Sequence, residues 1–337
     1  MARLWTIIFS LLVVFNFVEV EAKNPPPGTG TTDIPANILI MLDNSGSMSA
    51  RLAGAVQIHY PVDVNVDRFG NIYVLEYWNN RIKKFDSSGN YIKAFGGPGS
   101  NCSQWRNARQ FDIKDDVIYI SDTNNYRYVM LDLEGNCRRT QHVWSLLKEQ
   151  PVAMAVGGGW AWASSPSRIA SHYYPSMYGN GGGNVYNNEG GGSNFIWGMS
   201  WNNAGSRIAY ANYSKNRVRI AYRSGHQLVG QNSPYASNRV RNCSANRPTD
   251  TAWDSSGNVY YTSVGDHAVY KLNPDTCSDS KLVGSWSTSS GFRYPYGIEI
   301  DSADNIYVTD YYNFTVRKYN TSGSETLSVG GSNTRLE

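Results

Sequence analysis

From Tyr60 onward, short runs of alternating apolar and polar residues return at a near-constant phase. Each run is roughly five residues long and reads as a buried or half-buried strand. The clearest copy opens on Pro61-Val62-Asp63-Val64-Asn65-Val66 and turns at Asp67-Arg68-Phe69-Gly70-Asn71. It continues as Ile72-Tyr73-Val74 and returns through Asn79-Asn80 into Arg81-Ile82-Lys83-Lys84-Phe85-Asp86. Asp-x-x-Gly-Asn is hairpin chemistry: Gly accepts positive φ, and Asp and Asn side chains hydrogen-bond their own turn. Copies start near Tyr60, Gln110, Pro151, Phe195, Pro248 and Pro295. The third is degraded, with a Gly/Trp stretch at 157–163 and a Gly/Asn-rich loop at 178–194. A period of about 40–50 residues with several short strands per copy predicts an all-β, six-bladed β-propeller over 60–337.

The start of the chain follows a different pattern. Arg3 precedes an apolar run, Trp5–Val18, and Val20-Glu21-Ala22 offers small residues at the −3 and −1 positions. This reads as a signal peptide over 1–22; the alternative, an uncleaved anchor, needs roughly 20 apolar residues. Residues 23–36 form a Pro/Gly/Thr linker. Asn37-Ile38-Leu39-Ile40-Met41-Leu42 reads as a buried strand that ends in Asp43-Asn44-Ser45-Gly46-Ser47-Met48. The mature chain is expected to lack a transmembrane segment and to be secreted, extracellular or periplasmic.

The cysteines fit that compartment. Cys102 and Cys243 precede a repeat, and Cys137 and Cys277 follow the third strand of that repeat. Four cysteines allow three connectivities. Matching repeat phase selects Cys102–Cys137 and Cys243–Cys277, each pinning an inter-blade loop to its own blade. Net charge is +3 over 337 residues, too weak for a nucleic-acid footprint. Asn-x-Ser/Thr occurs at Asn101, Asn212, Asn242, Asn313 and Asn320. In a eukaryotic protein these are glycan acceptors; in a bacterial one they carry no meaning.

Two resemblances follow from these residues. The Pro that opens most copies, Gly70-Asn71-Ile72-Tyr73-Val74, and Asn80-Arg81-Ile82 before a Lys-x-Phe-Asp strand resemble the NHL family of propellers. That family includes binding scaffolds, RNA-binding domains and a secreted amidating lyase. Residues 37–59 resemble the opening of a von Willebrand factor A domain, whose Asp-x-Ser-x-Ser loop is here Asp43, Ser45 and Ser47. One carboxylate and two hydroxyls suit a hard cation, Ca²⁺ or Mg²⁺. Two readings fit: a relic that binds nothing, or a propeller inserted into such a domain.

Aligned on the opening Pro, with Gln110 in its place in copy two, the position two residues on carries Asp63, Asp112 and Asp250. It falls on the innermost strand. An axial Ca²⁺ site and a hydrated acidic tunnel mouth are the two readings. The five histidines fall at different phases, so the zinc site that the lyase resemblance implies is not expected. Arg81, Lys83, Lys84, Arg127, Arg217, Arg219 and Arg317 recur near the start of third strands. They would line a rim suited to a polyanionic glycan or, with Tyr126, Tyr128 and Tyr222, to RNA stacking; export disfavours nucleic acid. The sequence therefore points to an exported adhesion or recognition protein with a protein or polysaccharide partner at a cell surface. The alternative is a Ca²⁺-dependent propeller hydrolase or lyase using Asp63, Asp112 and Asp250.

Overall fold

The computed structural model describes residues 56–331, apart from 144–146, 148, 158, 167, 174–184, 188–195, 225–226, 229–239 and 286–290. The predicted signal peptide, the linker and the Asp43, Ser45 and Ser47 loop lie outside the described residues.

Among the described residues there are twenty-five strands. The first sheet holds β1 (Pro61–Val66), β2 (Ile72–Glu76), β3 (Arg81–Phe85) and β4 (Tyr91–Gly96), and the second β5 (Phe111–Lys114), β6 (Val117–Asp122), β7 (Arg127–Asp132) and β8 (Cys137–His142). The third holds β9 (Met154–Gly157), β10 (Trp160–Ser164), β11 (Arg168–Tyr173) and β12 (Val185–Asn187). The fourth holds β13 (Ile196–Trp201), β14 (Arg207–Asn212), β15 (Arg217–Ser224), β16 (Gln227–Leu228) and β17 (Val240–Ser244). The fifth holds β18 (Pro248–Trp253), β19 (Val259–Ser263), β20 (Ala268–Leu272) and β21 (Asp279–Val283), and the last β22 (Pro295–Ile300), β23 (Ile306–Asp310), β24 (Thr315–Tyr319) and β25 (Glu325–Gly330). Five sheets thus have four strands and one has five.

The first strand of each sheet contacts the first strand of the next, and β22 contacts β1, so the ring closes. This is a β-propeller. Burial explains why the strands read as continuous apolar runs. Ile72 and Val74 face the core shared with β23 and β24, while Tyr73 and Leu75 face the core shared with the second sheet. Each sheet is covered on both faces, and successive residues on one strand enter different cores.

The turns form as their residues predict. Asp67, Asp86, Asp132, Asp254 and Asp301 each accept backbone N–H groups of their own turn through one carboxylate oxygen. Each also accepts the side-chain amide of the Asn four residues on. A second recurring device was not legible. The residue just before a first strand adopts left-handed φ at Tyr60, Arg247 and Tyr294, as does Asn107 four residues ahead of β5, and the residue before a third strand does so at Asn80, Tyr126, Asn216, His267 and Phe314. First and third strands run in the same direction, so these positions lie at the same end of the ring.

Two boundaries move. Ile58, placed by sequence before the repeats, is 1% exposed and packs on Val64, Phe85 and Val329. Both disulfides pair as expected, with Cα–Cα distances of 5.6 and 5.1 Å. Cys243, however, lies on β17 of the fourth sheet, while Cys277 follows β20 of the fifth. That bridge ties two neighbouring sheets rather than a loop to its own sheet, because the connection before the fifth sheet has itself become a strand.

Candidate functional site

The channel is built by two tiers of inner-strand residues. Strand pairing fixes the tiers: Asn65 lies opposite Tyr73, Asp112 opposite Tyr119, and Glu299 opposite Tyr307. Asp112 therefore occupies the position of Asn65, not of Asp63. The left-handed residue before the strand agrees, since Asn107 in copy two matches Tyr60 in copy one. Ala108 is the structural counterpart of Pro61, and Gln110 the counterpart of Asp63. The sequence alignment on Gln110 was two residues late, because copy two carries no proline to mark its start. The first tier is Asp63, Gln110, Ala153, Gly198, Asp250 and Gly297; the second is Asn65, Asp112, Ala155, Ser200, Ala252 and Glu299.

These polar groups join neighbouring sheets. Asp63 accepts from the Phe111 amide at 2.8 Å, Asp112 from the Val156 amide at 2.6 Å, and Asp250 from the Ile298 amide at 3.0 Å. Gln110 accepts from the amides of Met154 and Met199 and donates to the Met199 carbonyl and to Asp250 Oδ1 at 3.1 Å. It thereby spans from the second sheet to the third, fourth and fifth, closing the channel near the axis. Among the described residues no group of three or more His, Cys, Asp or Glu side chains is arranged to hold a metal ion. Asp63 and Asp112 accept from main-chain N–H groups, and Asp250 accepts from main-chain N–H groups and from the Gln110 amide.

Room for the carboxylates comes from glycine. A Cβ on Gly198 would lie 2.0 Å from Asp250 Oδ1 and 2.7 Å from its Cα, and one on Gly297 would lie 2.6 Å from the Asp63 Cα. Gly198→Ala is expected to destabilise by about 3 kcal/mol, through overpacking against a backbone that cannot retreat. Urea unfolding measures this, and a cost near zero would mean that the tiers are less tightly apposed.

Burial pushes all four channel carboxyls up. Asp63 is raised by desolvation and by the charge of Asp250, and Asp250 by desolvation and by Asp112. Glu299 is raised by desolvation, then by Asp112 and Asp250. Asp112, eased by the Val156 and Ile113 amides and by Lys114, is pushed up to about 6. A carboxyl raised on folding contributes stability below its unfolded value and loses it as pH rises through the folded value. For Asp112 that window runs from about 4 to about 6. Asp112→Asn, which retains an acceptor for Val156, is expected to gain stability relative to the native chain as pH rises from about 4 to about 6. Parallel curves of Tm against pH for the two chains would contradict this.

Five of the recurrent basic residues pair with acids, four of them within their own sheets. Arg127 pairs with the fully buried Asp122 at 2.7 Å, Arg81 and Lys83 with Glu76, and Arg317 with Asp310 at 3.7 Å. Lys84 pairs with Glu134 at 2.9 Å. Tyr128 is fully buried in the core and cannot stack on a base, and the Tyr222 ring lies under Arg207. Arg81, Lys83, Lys84, Arg127 and Arg317 are therefore paired with acids rather than forming a rim of free cations.

What sequence reasoning missed is the mouth at the N-terminal ends of the inner strands. Tyr60, Tyr294, Tyr296, Tyr311, Tyr312 and Phe314 form a continuous ring cluster, with centroid separations of 4.8–6.3 Å. Trp197 stacks between Tyr296 at 5.5 Å and Tyr213 at 4.7 Å. Arg109 lies 5.0 Å from the ring centroids of both Trp197 and Tyr77. Trp78 packs on Tyr77 at 5.0 Å, donates its indole N–H to the Tyr311 hydroxyl at 3.1 Å, and is 61% exposed. Tyr312 is 42% exposed. Burial holds the Tyr296 and Tyr311 phenols above their ordinary range, so both remain neutral hydroxyls. Beneath the rings the throat, lined by Val62, Arg109, Gln110, Trp197, Thr249, Asp250 and Tyr296, encloses only about 10 Å³. The signal was present as aromatic residues at the first positions of inner strands and in second-to-third-strand turns, but those positions are far apart in sequence.

Comparison with known proteins agrees with this fold. The NHL repeat family matches residues 292–319, which span the first three strands of the last sheet. No curated protein matches the chain. Among solved structures, a streptogramin B lyase superposes with a TM-score of 0.58 at 11% identity, covering 83% of this chain and 86% of that one. An inactive virginiamycin B lyase from Staphylococcus aureus, solved with quinupristin, gives 0.55 at 9% identity, covering 82% and 85%. A structure of a nidogen/laminin complex gives 0.54 at 15% identity, covering 81% and 92%. At such identities the likeness is one of fold. The chain is an all-β propeller with an NHL repeat, and its two disulfides suit an oxidising compartment. Among the described residues no helix is long and apolar enough to cross a membrane.

Proposed function

We propose that the protein is an exported recognition module that binds a polysaccharide across its aromatic mouth. The observation that carries this is the contiguous ring cluster with Trp78 left 61% exposed at its edge. Flat, amphipathic rings with hydroxyls at their tips suit the apolar faces and hydroxyl edges of sugars, and exposed apolar patches rimmed by polar groups mark binding sites. The closed throat favours a ligand lying across the face over one entering the channel. The internal pairing of the recurrent cations favours a neutral polymer over a polyanion. A fold relative comes from a nidogen/laminin complex, an assembly of one protein with another.

The test is co-sedimentation with a panel of insoluble neutral polysaccharides. Trp78→Ala is expected to weaken retention about tenfold, the equivalent of about 1.4 kcal/mol. EDTA is expected to leave it unchanged, because ring stacking needs no cation. Loss of binding in EDTA would transfer the function to a metal site, at Asp43, Ser45 and Ser47 or at Asp63, Asp112 and Asp250. Turnover of lactones or esters, abolished in Asp250→Asn, would favour the Ca²⁺-dependent enzyme instead.

A further inference from the structure

The five Asn-x-Ser/Thr triplets do not have the same surroundings. Asn212 is fully buried and its side chain accepts from the Lys215 amide at 3.1 Å, capping a short helical turn. Asn313 is half-buried, and its amide nitrogen donates to the buried Asp310 at 2.7 Å and to the Gly291 carbonyl at 3.1 Å. A sugar on that nitrogen would displace both bonds. Asn320 is half-buried, and its amide oxygen takes three donors of its own turn.

Asn101 and Asn242 differ from these. Both are exposed, and so are Ser103 and Ser244, which complete their triplets. Both precede a bridged cysteine, in Asn101-Cys102-Ser103 and Asn242-Cys243-Ser244. Both lie at the outer perimeter. Asn242 is on β17, the outermost strand of its sheet, and Cys102 is tied to Cys137 at the start of outer strand β8. Neither residue belongs to the ring cluster of the aromatic mouth.

We infer that Asn101 and Asn242 are N-glycosylated, as a pair related by the repeat, and that Asn212 and Asn313 are not. In the transfer, the Asn amide nitrogen attacks the anomeric carbon of a lipid-pyrophosphate-linked oligosaccharide. A carbon–nitrogen bond forms, the carbon–oxygen bond to the pyrophosphate breaks, and the amide proton is lost. The partner cysteines follow 35 and 34 residues later. The acceptor triplet is therefore free in the emerging chain until its bridge can close. The modification rests on export through a glycosylating secretory pathway.

The experiment expresses residues 1–337, including the expected signal peptide at 1–22, in a eukaryotic secretory cell. The secreted protein is treated with peptide N-glycosidase in heavy-oxygen water, and labelled Asp is located by mass spectrometry. Label at positions 101 and 242, and none at 212 and 313, is the expected result. Ser103→Ala and Ser244→Ala, surface changes that spare the fold, are each expected to remove one glycan's mass and leave secretion intact. Secreted protein unlabelled at both 101 and 242, or labelled at 212 or 313, overturns the assignment while leaving export standing. A chain retained in the cytoplasm without glycans overturns export and the assignment together.

Discussion

Replacing Glu76 by alanine is expected to cost about 4 kcal/mol, the scale for breaking a buried ion pair from one side. Glu76 is fully buried at the end of β2. It accepts from the His59 amide at 2.7 Å and from Asn79 at 3.1 Å, and it holds Arg81 and Lys83. Lys83 is itself buried, and desolvation already pulls its ammonium below the usual range. Without Glu76 that charge has lost its carboxylate partner. Burial works against the Glu76 carboxylate, yet the Arg81, Asn79 and His59 bonds outweigh it and hold its pKa below the ordinary value. A carboxyl lowered on folding gives stability above its unfolded value and loses it as pH falls through the folded one. The Glu76→Ala penalty should therefore shrink on acidification. Glu76→Gln, which keeps the acceptor for His59, should fall between the two. Urea unfolding of the three chains measures this, and a cost of Glu76→Ala below about 1 kcal/mol would place the pair among surface bridges.

Removing the Cys243–Cys277 bridge is expected to cost about 4 kcal/mol by the loop-entropy relation for its span. The bridge closes 34 residues and joins β17 to the turn after β20 across two sheets. Its loss releases the outer edge where the fourth and fifth sheets meet, with Cys243 already packed against Trp253 and Leu272. The paired change Cys243→Ala with Cys277→Ala, read by thermal unfolding, should lower Tm by several degrees. An unchanged Tm would mean that the core between these sheets holds without it.

The fold was legible because its turns are made by local chemistry. Asp67 with Asn71, or Asp254 with Asn258, closes a hairpin whatever surrounds it. Strand length and alternation followed from such turns. The register of copy two was lost for the converse reason. Ala108 carries no mark of a strand start, and the feature that aligns it, left-handed Asn107, is conformational. The cation rim misled because Arg81, Arg127 and Arg317 each match an acid five or seven residues earlier, and only folding shows the pair closing. The aromatic mouth was hidden by distance along the chain. Trp78 and Tyr311 are 233 positions apart, and Trp197 meets Tyr296 only after the ring closes. A site assembled by a repeat is spread over every copy, so no single stretch of sequence carries it.

Hydroxyl-radical footprinting of the intact protein, alone and on a retained neutral polysaccharide, tests the central claim most directly. Protection confined to Trp78, Trp197, Tyr296 and Tyr312 is the predicted result. Protection on the opposite mouth around Trp253, with Trp78 and Tyr312 unaffected, would contradict it.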